Sequence, residues 1–136
     1  NGQKLYEKNY RGGVEDGVST YWNPSGQKSS EANYKEDTLM GPHIIWHENG
    51  QMKNKEHYKD GKREGLRTSW HENGQKSTEM YYKEGTEDGL VIWWYQDGKK
   101  KCEKSFKDRQ LNGLWTEWSE DGKKTYEKYF VDGKEQ

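Results

Sequence analysis

The chain has 136 residues and a formal net charge of −1, and 27% of its residues are hydrophobic while 35% are charged. The length fits a single domain, and the balanced charge excludes the basic stripe on which nucleic-acid binding depends, so we expect no nucleic-acid partner. The single cysteine, Cys102, excludes an internal disulfide and a cysteine metal site.

Residues 1–136 form one tandem array. Units of 24 residues begin near residues 2, 26, 50, 74, 98 and 122, each at a glycine, and a second glycine recurs at residues 17, 41, 65, 89 and 113. The low hydrophobic content is compatible with an ordered array because each repeat buries its apolar face on its neighbours. The chain starts inside a unit and without Met, so we expect it to be part of a longer or processed protein.

The first strand of each unit follows the second glycine. Three alternate positions of this strand recur and the residues between them vary, as in Leu66-Arg67-Thr68-Ser69-Trp70. This alternation predicts a strand with one specified face. The last recurring position is a tryptophan, which we interpret as a structural ladder that consists of Trp22, Trp46, Trp70, Trp94 and Trp118.

A turn at Asn-Gly or Asp-Gly follows, as at Asn73-Gly74, and supplies the positive φ that a hairpin needs. The second strand then runs to an aromatic residue such as Tyr82. Short connections at both ends predict antiparallel neighbours. We therefore expect an all-β fold, an elongated single-layer antiparallel β-meander of tandem 24-residue hairpin repeats, with six second strands and five first strands.

The length of this turn decides on which face of the sheet the aromatic rings lie. A two-residue loop would place the Trp and Tyr rings on opposite faces, whereas a three-residue loop such as Glu72-Asn73-Gly74, with a left-handed glycine in a bulge, would place them on one face. We prefer the second arrangement because it gathers the rings into one layer. Asp37 and Arg109 replace loop glycines, Pro42 enters a strand, and Lys55 displaces the recurring glutamate to Glu56. We therefore expect local irregularity in those three units.

The recurring polar residues form no catalytic constellation. His47 and His71 share one register position and His43 lies close by, but no second-ligand motif accompanies them. A residue repeated along an array is more often structural than part of an acid–base pair, so we predict no enzyme activity, no cofactor and no metal site. The recurring glutamates are Glu7, Glu31, Glu79, Glu103 and Glu127. In the third unit Lys55 takes this position and displaces the glutamate to Glu56.

The positions between the ladder residues change from unit to unit and should point to the opposite face. Several are large and apolar, and aromatic residues on an uncovered face are typical binding anchors. The alternative is that a missing part of the protein, or a second copy, covers this face. The candidate binding residues are Tyr21, His43, Ile45, Arg67, Val91, Trp93 and Trp115.

The segments from Tyr58 to Lys76 and from Phe106 to Lys124 resemble the bacterial MORN-repeat variant of the YwqK-type antitoxin family. In both segments an aromatic residue, a loop, a glycine, a tryptophan and Asn-Gly or Asp-Gly recur in one register. The resemblance covers nearly the whole chain. It implies an elongated, twisted antiparallel sheet of hairpins, no catalytic residues, and a role in neutralising a partner toxin.

These observations predict a non-catalytic protein–protein interaction module whose partner is a toxin or a larger assembly. Three alternatives stay open: a membrane-surface module, a binder of cell-wall glycan or choline that uses the tryptophan ladder, and a structural segment of a larger protein. Self-association through open sheet edges is a further expectation. We favour a cytoplasmic location, although the absence of Met at residue 1 is compatible with a removed signal.

Overall fold

A computed structural model describes residues 4–136. The predicted turn at Asn1-Gly2 lies outside these residues, and the described part of the chain contains strands and turns but no helix. The strands are β1 (Tyr6–Glu7), β2 (Tyr10–Arg11), β3 (Val14–Glu15), β4 (Gly17–Trp22), β5 (Lys28–Lys35), β6 (Thr38–Trp46), β7 (Met52–Lys59), β8 (Lys62–Arg63), β9 (Gly65–Trp70), β10 (Lys76–Lys83), β11 (Thr86–Trp94), β12 (Lys100–Lys107), β13 (Gln110–Leu111), β14 (Gly113–Trp118), β15 (Lys124–Val131) and β16 (Lys134–Glu135).

The strands form an antiparallel meander in chain order. The main sheet runs β1-β4-β5-β6-β7-β9-β10-β11-β12-β14-β15-β16, with β8 beside β7 and β13 beside β12, and β2 pairs with β3 in a short separate ladder. Only one or two residues interrupt β1–β2, β3–β4, β8–β9 and β13–β14, so each of these is one broken strand. The all-β meander of hairpin repeats is confirmed, with the expected six second and five first strands among the described residues, followed by the short β16.

The turn after each ladder tryptophan is a three-residue loop. Where the third unit meets the fourth, the amide of Gly74 donates to the carbonyl of His71 at 2.9 Å, and the amide of His71 donates to the carbonyl of Gln75 at 2.8 Å. Gly74 has a φ of 84°, whereas Asn73 does not adopt a positive φ. Glycine alone therefore supplies the left-handed conformation of this loop, as in a type I turn followed by a bulge.

A second irregularity follows the loop in every hairpin. Trp70 pairs with Lys76, but the preceding Ser69 pairs with Thr78, so Ser77 is an extra residue that has no partner across the ladder. This is a β-bulge. The pairing shifts by one residue at the same place in the other four hairpins.

The loop and the bulge together place the Trp and Tyr rings on opposite faces. Directly opposed residues of an antiparallel pair share a face, and Tyr82 opposes Gly65. Gly65 and Trp70 are an odd number of residues apart on the same strand, so they lie on opposite faces. The predicted single aromatic layer is therefore wrong, because the bulge adds a one-residue shift that cancels the shift of the loop. We name the two faces the Trp face, after the ladder, and the Tyr face, after the row Tyr34, Tyr58, Tyr82, Phe106 and Phe130.

Each ring of this row lies directly across from the second glycine of a unit. Tyr34 opposes Gly17 and Phe106 opposes Gly89. These glycines have φ values of 118° and 95°. The glycine therefore both adopts a conformation that side chains disfavour and leaves room for the neighbouring ring.

The second loop of each unit is a tight two-residue turn. Asp60 and Gly61 have φ values of 50° and 75°, and they connect the paired Lys59 and Lys62. Positive φ at both central residues is the type I′ geometry, whose twist matches that of the flanking strands. The tightest hairpin turn is therefore at this loop, rather than at the Asn-Gly turn.

The second and fifth units, whose loop glycine is replaced, keep the type I′ geometry of this turn. Glu36 and Asp37 form the turn of the second unit with φ values of 49° and 60°. In the fifth unit Arg109 takes the glycine position with a φ of 67°. Pro42 stays in register opposite His57, beside the interruption between β5 and β6, where a residue without an N–H is tolerated. The local irregularity expected in these two units is therefore wrong, although non-glycine residues in the left-handed region remain strained.

Side chains at the hairpin ends tie the second, third and fourth units each to the unit that follows. The Asn49 amide nitrogen donates to the carbonyl of Glu72 at 2.8 Å, while its oxygen accepts from the amide of Gln51 at 3.0 Å. The asparagine of the turn thus bridges two loops. Three further side chains bond the carbonyl of the tryptophan one unit later: His47 to Trp70 (2.9 Å), His71 to Trp94 (3.1 Å) and Tyr95 to Trp118 (2.8 Å).

Candidate binding surface

The variable positions lie on the Tyr face, which is the better-buried face at these positions. Val91 has 0% exposure, and Tyr21 retains 36%. Apart from Tyr21, these side chains are therefore less exposed than expected, because side chains of adjacent strands on one face pack against one another. The other predicted binding residues are half-buried: His43, Ile45, Arg67, Trp93 and Trp115.

Trp115 is held in an aromatic cluster on this face. Its ring centre lies 4.9 Å from that of Tyr126 and 5.9 Å from that of Phe130. Its indole N–H donates to Glu117 at 2.9 Å, and the ammonium of Lys104 lies 3.7 Å from the ring centre. Stacking and cation–π contacts of this kind use the faces of the ring for packing within the sheet.

The single thiol also belongs to the Tyr face. Cys102 is 9% exposed and lies opposite Trp93 on one side and Glu117 on the other. Burial raises the pKa of the Cys102 thiol. A thiol that is buried and protonated is a poor nucleophile, so Cys102 serves as a small packing residue.

His43 and Arg67 meet around a buried carboxylate. Glu56 is 5% exposed, and it accepts hydrogen bonds from Nε of Arg63 at 2.8 Å and from the hydroxyl of Tyr58 at 3.1 Å. Nδ1 of His43 lies 3.2 Å from the same carboxylate. Nε of Arg67 lies 3.3 Å away, in an ion pair whose angle does not suit a hydrogen bond. We name these five residues the Glu56 cluster.

The cluster keeps its carboxylate ionised. Burial alone would raise the pKa of Glu56, but hydrogen bonds from His43 and Arg63, the charge of Arg63 and the Tyr58 hydroxyl outweigh it and lower the pKa to about 2. A buried charge needs such partners. The geometry indicates an internal ion network rather than an open site, and two of the predicted binding residues are used in it.

Glu56 is not a displaced copy of the recurring glutamate. It opposes His43 on the Tyr face. Lys55 holds the recurring position, opposite Thr68 and Ile44 on the Trp face. Because neighbouring residues of a strand point to opposite faces, the third unit carries a carboxylate on the Tyr face and an ammonium on the Trp face.

The Trp face carries the exposed apolar side chains. Its leucines are 45–48% exposed, and the two tyrosines that oppose the first and last of them are each 51% exposed. The ladder tryptophans are half-buried. The leucines of the specified face are thus more exposed than the variable positions, the reverse of the expectation. These five residues are Leu66, Leu90, Leu114, Tyr81 and Tyr129. Val18 and Met52 of the same face are also exposed, as are Tyr6 and Tyr21 of the Tyr face.

Lysine–glutamate ion pairs frame the ladder. Lys28 and Glu31 are 2.6 Å apart, and the Lys28 ammonium lies 5.9 Å from the ring centre of Trp46 in the next unit. In a regular strand, residues three apart lie on opposite faces, and here the bulge between them brings both to the Trp face. The same pairing recurs in Lys4–Glu7, Lys76–Glu79, Lys100–Glu103 and Lys124–Glu127.

Two neighbouring shallow grooves open on the Trp face. One has a volume of about 440 Å³ and a floor of Leu66, Thr68 and Trp70 between Lys55 and Lys76. The next has a volume of about 370 Å³, and its lining includes Leu66, Tyr81, Leu90, Ile92, Glu79 and Asp88. Apolar floors with charged rims offer the contact chemistry of non-covalent recognition.

Three of the four histidines have structural partners, and the fourth, His57, is exposed. His47 and His71 bond backbone carbonyls of the next unit, and His43 contacts Glu56. Within residues 4–136, no group of three His, Cys, Asp or Glu side chains is placed to hold a metal ion. The same part of the chain has no helix that is long and apolar enough to cross a membrane.

The fold and this surface define a tandem β-hairpin repeat protein with one recurring, open face. A family model described as the MORN repeat variant matches residues 15–36, 41–60, 63–84, 87–108 and 111–132. The chain therefore belongs to the MORN repeat variant family. A search of curated proteins finds no match to it. Membership of this family indicates a repeat-based binding module.

Proposed function

We propose that this chain is a non-catalytic protein–protein interaction module whose partner docks on the Trp face. The observation that carries the proposal is the row of leucines exposed in three successive units, Leu66, Leu90 and Leu114. Exposed tyrosines extend this row, and ion pairs rim it. A contiguous apolar patch with a polar rim is typical of a protein-interaction site.

The charges of the Trp face favour a protein over a lipid surface. An anionic membrane attracts clusters of unpaired Lys and Arg. On this face, five lysines each lie within ion-pair distance of a glutamate, so their charges largely cancel. The face therefore offers apolar contact area without a strongly cationic field.

A toxin is the specific partner that we propose, on the strength of the resemblance to antitoxin repeats. An elongated sheet can cover a large area of a partner, because successive units present the same face side by side. Such coverage would neutralise a toxin by blocking its surface, and no catalytic group of the repeat protein would be needed.

Binding of a candidate toxin encoded beside this chain's gene tests the proposal. We expect the double variant Leu66→Ser/Leu90→Ser to bind at least about tenfold more weakly in calorimetric titration, since exposed apolar anchors contribute most of an interface's energy. Tyr21→Ser is the matched control on the Tyr face, because Tyr21 is 36% exposed. It should bind like the parent protein.

The far-UV spectrum of each variant establishes first that the sheet is intact. Loss of binding in Tyr21→Ser, together with normal binding of the leucine variant, would overturn the assignment to the Trp face. Flotation of the parent chain with anionic liposomes, or retention on cell-wall glycan, in the absence of toxin binding would instead support the membrane or glycan class.

A further inference from the structure

The third unit differs from the other units on the Trp face. Lys–Glu pairs occupy two recurring positions elsewhere, but in the third unit these positions hold Met52 and Lys55. Lys55 lies opposite Thr68 and Ile44 in the sheet. Within residues 4–136 the Lys55 ammonium has no carboxylate within ion-pair distance, so this unit presents an uncompensated positive charge where the others present a neutral pair.

This charge lies on the wall of the larger groove of the Trp face. We name it the third-unit groove; its lining includes Lys55, His57, Leu66, Trp70, Lys76 and Glu79. Lys76 and Glu79 neutralise each other across the opposite wall. Glu64, which also borders the groove, accepts a hydrogen bond from the amide of Glu84 at 2.8 Å. Glu64 keeps its negative charge, but it precedes Thr68 by four residues on the floor strand. Lys55 lies directly opposite Thr68 and is the lysine of this groove without an ion-pair partner among residues 4–136.

The neighbouring groove has the opposite polarity. It shares Leu66 and Glu79 with the third-unit groove. Because Lys76 pairs with Glu79, Asp88 is its charged side chain without an ion-pair partner among residues 4–136. A carboxylate on a partner would be attracted to the first groove and repelled by the second. The two grooves together would fix the register of a partner along an otherwise repetitive face, which neutral Lys–Glu pairs cannot do.

We propose that the third-unit groove is the specificity site of the Trp face and binds a protein segment that carries a carboxylate beside an aromatic or branched aliphatic side chain. The carboxylate pairs with Lys55, and the apolar side chain packs on Leu66 and Trp70. This inference rests on the proposed function, because it names the chemistry of the protein partner. The physical basis is charge complementarity at the edge of an apolar contact, where a partly desolvated ion pair gives selectivity.

The chain contains an internal comparison for this site. Strand β14 has Leu114, Thr116 and Trp118 in the positions of Leu66, Thr68 and Trp70 of β9. Its floor is therefore the same, but the wall strand β12 carries the ion pair Lys100–Glu103 in place of the residues Met52 and Lys55. The two walls therefore differ in charge. Of the other lining residues, His57 and Glu64 correspond to Ser105 and Asn112.

Panning of the immobilised protein with a display library of random short peptides tests the inference. We expect enriched peptides to share an acidic residue beside an aromatic or branched aliphatic one. Synthetic versions should bind at least about tenfold more weakly to Met52→Lys/Lys55→Glu, which restores the ion pair of the other units. The transplant Lys100→Met/Glu103→Lys should create a second site and double the binding stoichiometry.

Enrichment of peptides without an acidic residue, or equal binding to the parent and to Met52→Lys/Lys55→Glu, would overturn the inference. Met52, Lys55 and Lys100 are exposed and Glu103 is half-buried, and the far-UV spectrum verifies the folding of both variants. A toxin that loses affinity for Leu66→Ser/Leu90→Ser but not for Met52→Lys/Lys55→Glu would overturn the specificity site alone and leave the Trp-face function standing. Equal affinity for all three proteins would overturn both.

Discussion

At the scale of single residues, the Glu56 cluster is the most consequential feature of the Tyr face. Its carboxylate is buried in a sheet that has little hydrophobic interior, and Arg63, His43 and Tyr58 hold it in the ionised form. An ionised group of this kind stabilises the fold only while its charge and its partners are both present. Stability should therefore depend on pH through this one residue.

We predict that acid weakens the fold through Glu56. Its pKa is lowered from the ordinary value of 4.5 to about 2. A folded-state pKa below the unfolded one contributes stability that is fully present above the unfolded pKa and is lost as the pH falls toward 2. The contribution is about 2–3 kcal/mol, with allowance for the partly exposed Arg63. Urea denaturation at pH 7, 4 and 3 measures it.

The variant Glu56→Gln should lower the free energy of unfolding at pH 7 by a similar amount and should flatten its decline between pH 5 and 2. Glu79→Gln is the control, because Glu79 forms one of the ion pairs on the Trp face, where pairs contribute little. An acid transition of the same depth in the parent and in Glu56→Gln would show that other groups control it.

The left-handed turns lead to a second residue-scale prediction. Arg109 has a φ of 67° in a position that other units fill with glycine. Arg109→Gly should raise the free energy of unfolding by about 0.5–1 kcal/mol, because the relief of left-handed strain exceeds the added chain entropy. The reverse exchange in the preceding unit, Gly85→Arg, should lower it. Thermal denaturation of both variants checks the sign.

At the scale of the hairpin, the three-residue loop is stacked against the loop before it. A Cβ built on Gly74 would lie 2.7 Å from Oε1 of Gln51, whereas one on Gly122 would meet nothing within 4 Å. Both glycines have a φ near 80°, at 84° and 82°. The pair of positions therefore separates the cost of backbone strain from the cost of a collision.

We predict that Gly122→Ala lowers the free energy of unfolding by about 1–2 kcal/mol through backbone strain alone. Gly74→Ala should lower it by slightly more, because the end of the Gln51 side chain must also move. The excess should disappear when both proteins also carry Gln51→Ala, as measured by chemical denaturation. A loss several times larger at Gly74, persisting without Gln51, would contradict this description of the stacked loops.

At the scale of the whole molecule, the array is held together by contacts between neighbouring strands. The main sheet follows chain order, apart from the short β8 and β13 beside it. Hydrogen bonds at the hairpin ends link the second, third and fourth units each to the unit that follows. Stability in such an array is approximately a sum over units and their interfaces.

We predict that deletion of residues 74–97, one full unit, leaves a folded, shorter array with a lower thermal midpoint. The deletion preserves the antiparallel order and the face of every remaining strand. Deletion of residues 62–73, which removes one strand, should instead abolish folding, since the flanking strands would have to run parallel across a short loop. Far-UV circular dichroism and small-angle scattering distinguish the two outcomes.

The sequence alone predicts the architecture well because its determinants are local. Alternation in segments such as Leu66 to Trp70 indicates strands, and glycines at fixed spacing indicate turns, so the order of the meander follows without long-range information. The three-residue loop at Gly74 was also predicted correctly. The bulge at Ser77 was missed, because no special residue marks it.

A signal for the bulge exists in the sequence nonetheless. Lys76 and Glu79 recur three positions apart in several units, a spacing that would separate them on a regular strand. An ion pair at this spacing implies an extra residue in between. That inference would have placed the Tyr row on the face opposite the ladder. This is also the face of the variable positions, which the sequence suggested were exposed.

The sequence by itself determined the repeat, the hairpins and the antiparallel order, since each depends on residues close together in the chain. Tertiary structure alone decided which side chains are exposed, because burial on a single-layer sheet depends on how the side chains of neighbouring strands pack against one another. It buried Val91, enclosed Glu56 among His43 and two arginines from other strands, and left the leucines of the Trp face exposed. Those contacts cross from one strand to its neighbours, so the pattern within a single strand does not specify them.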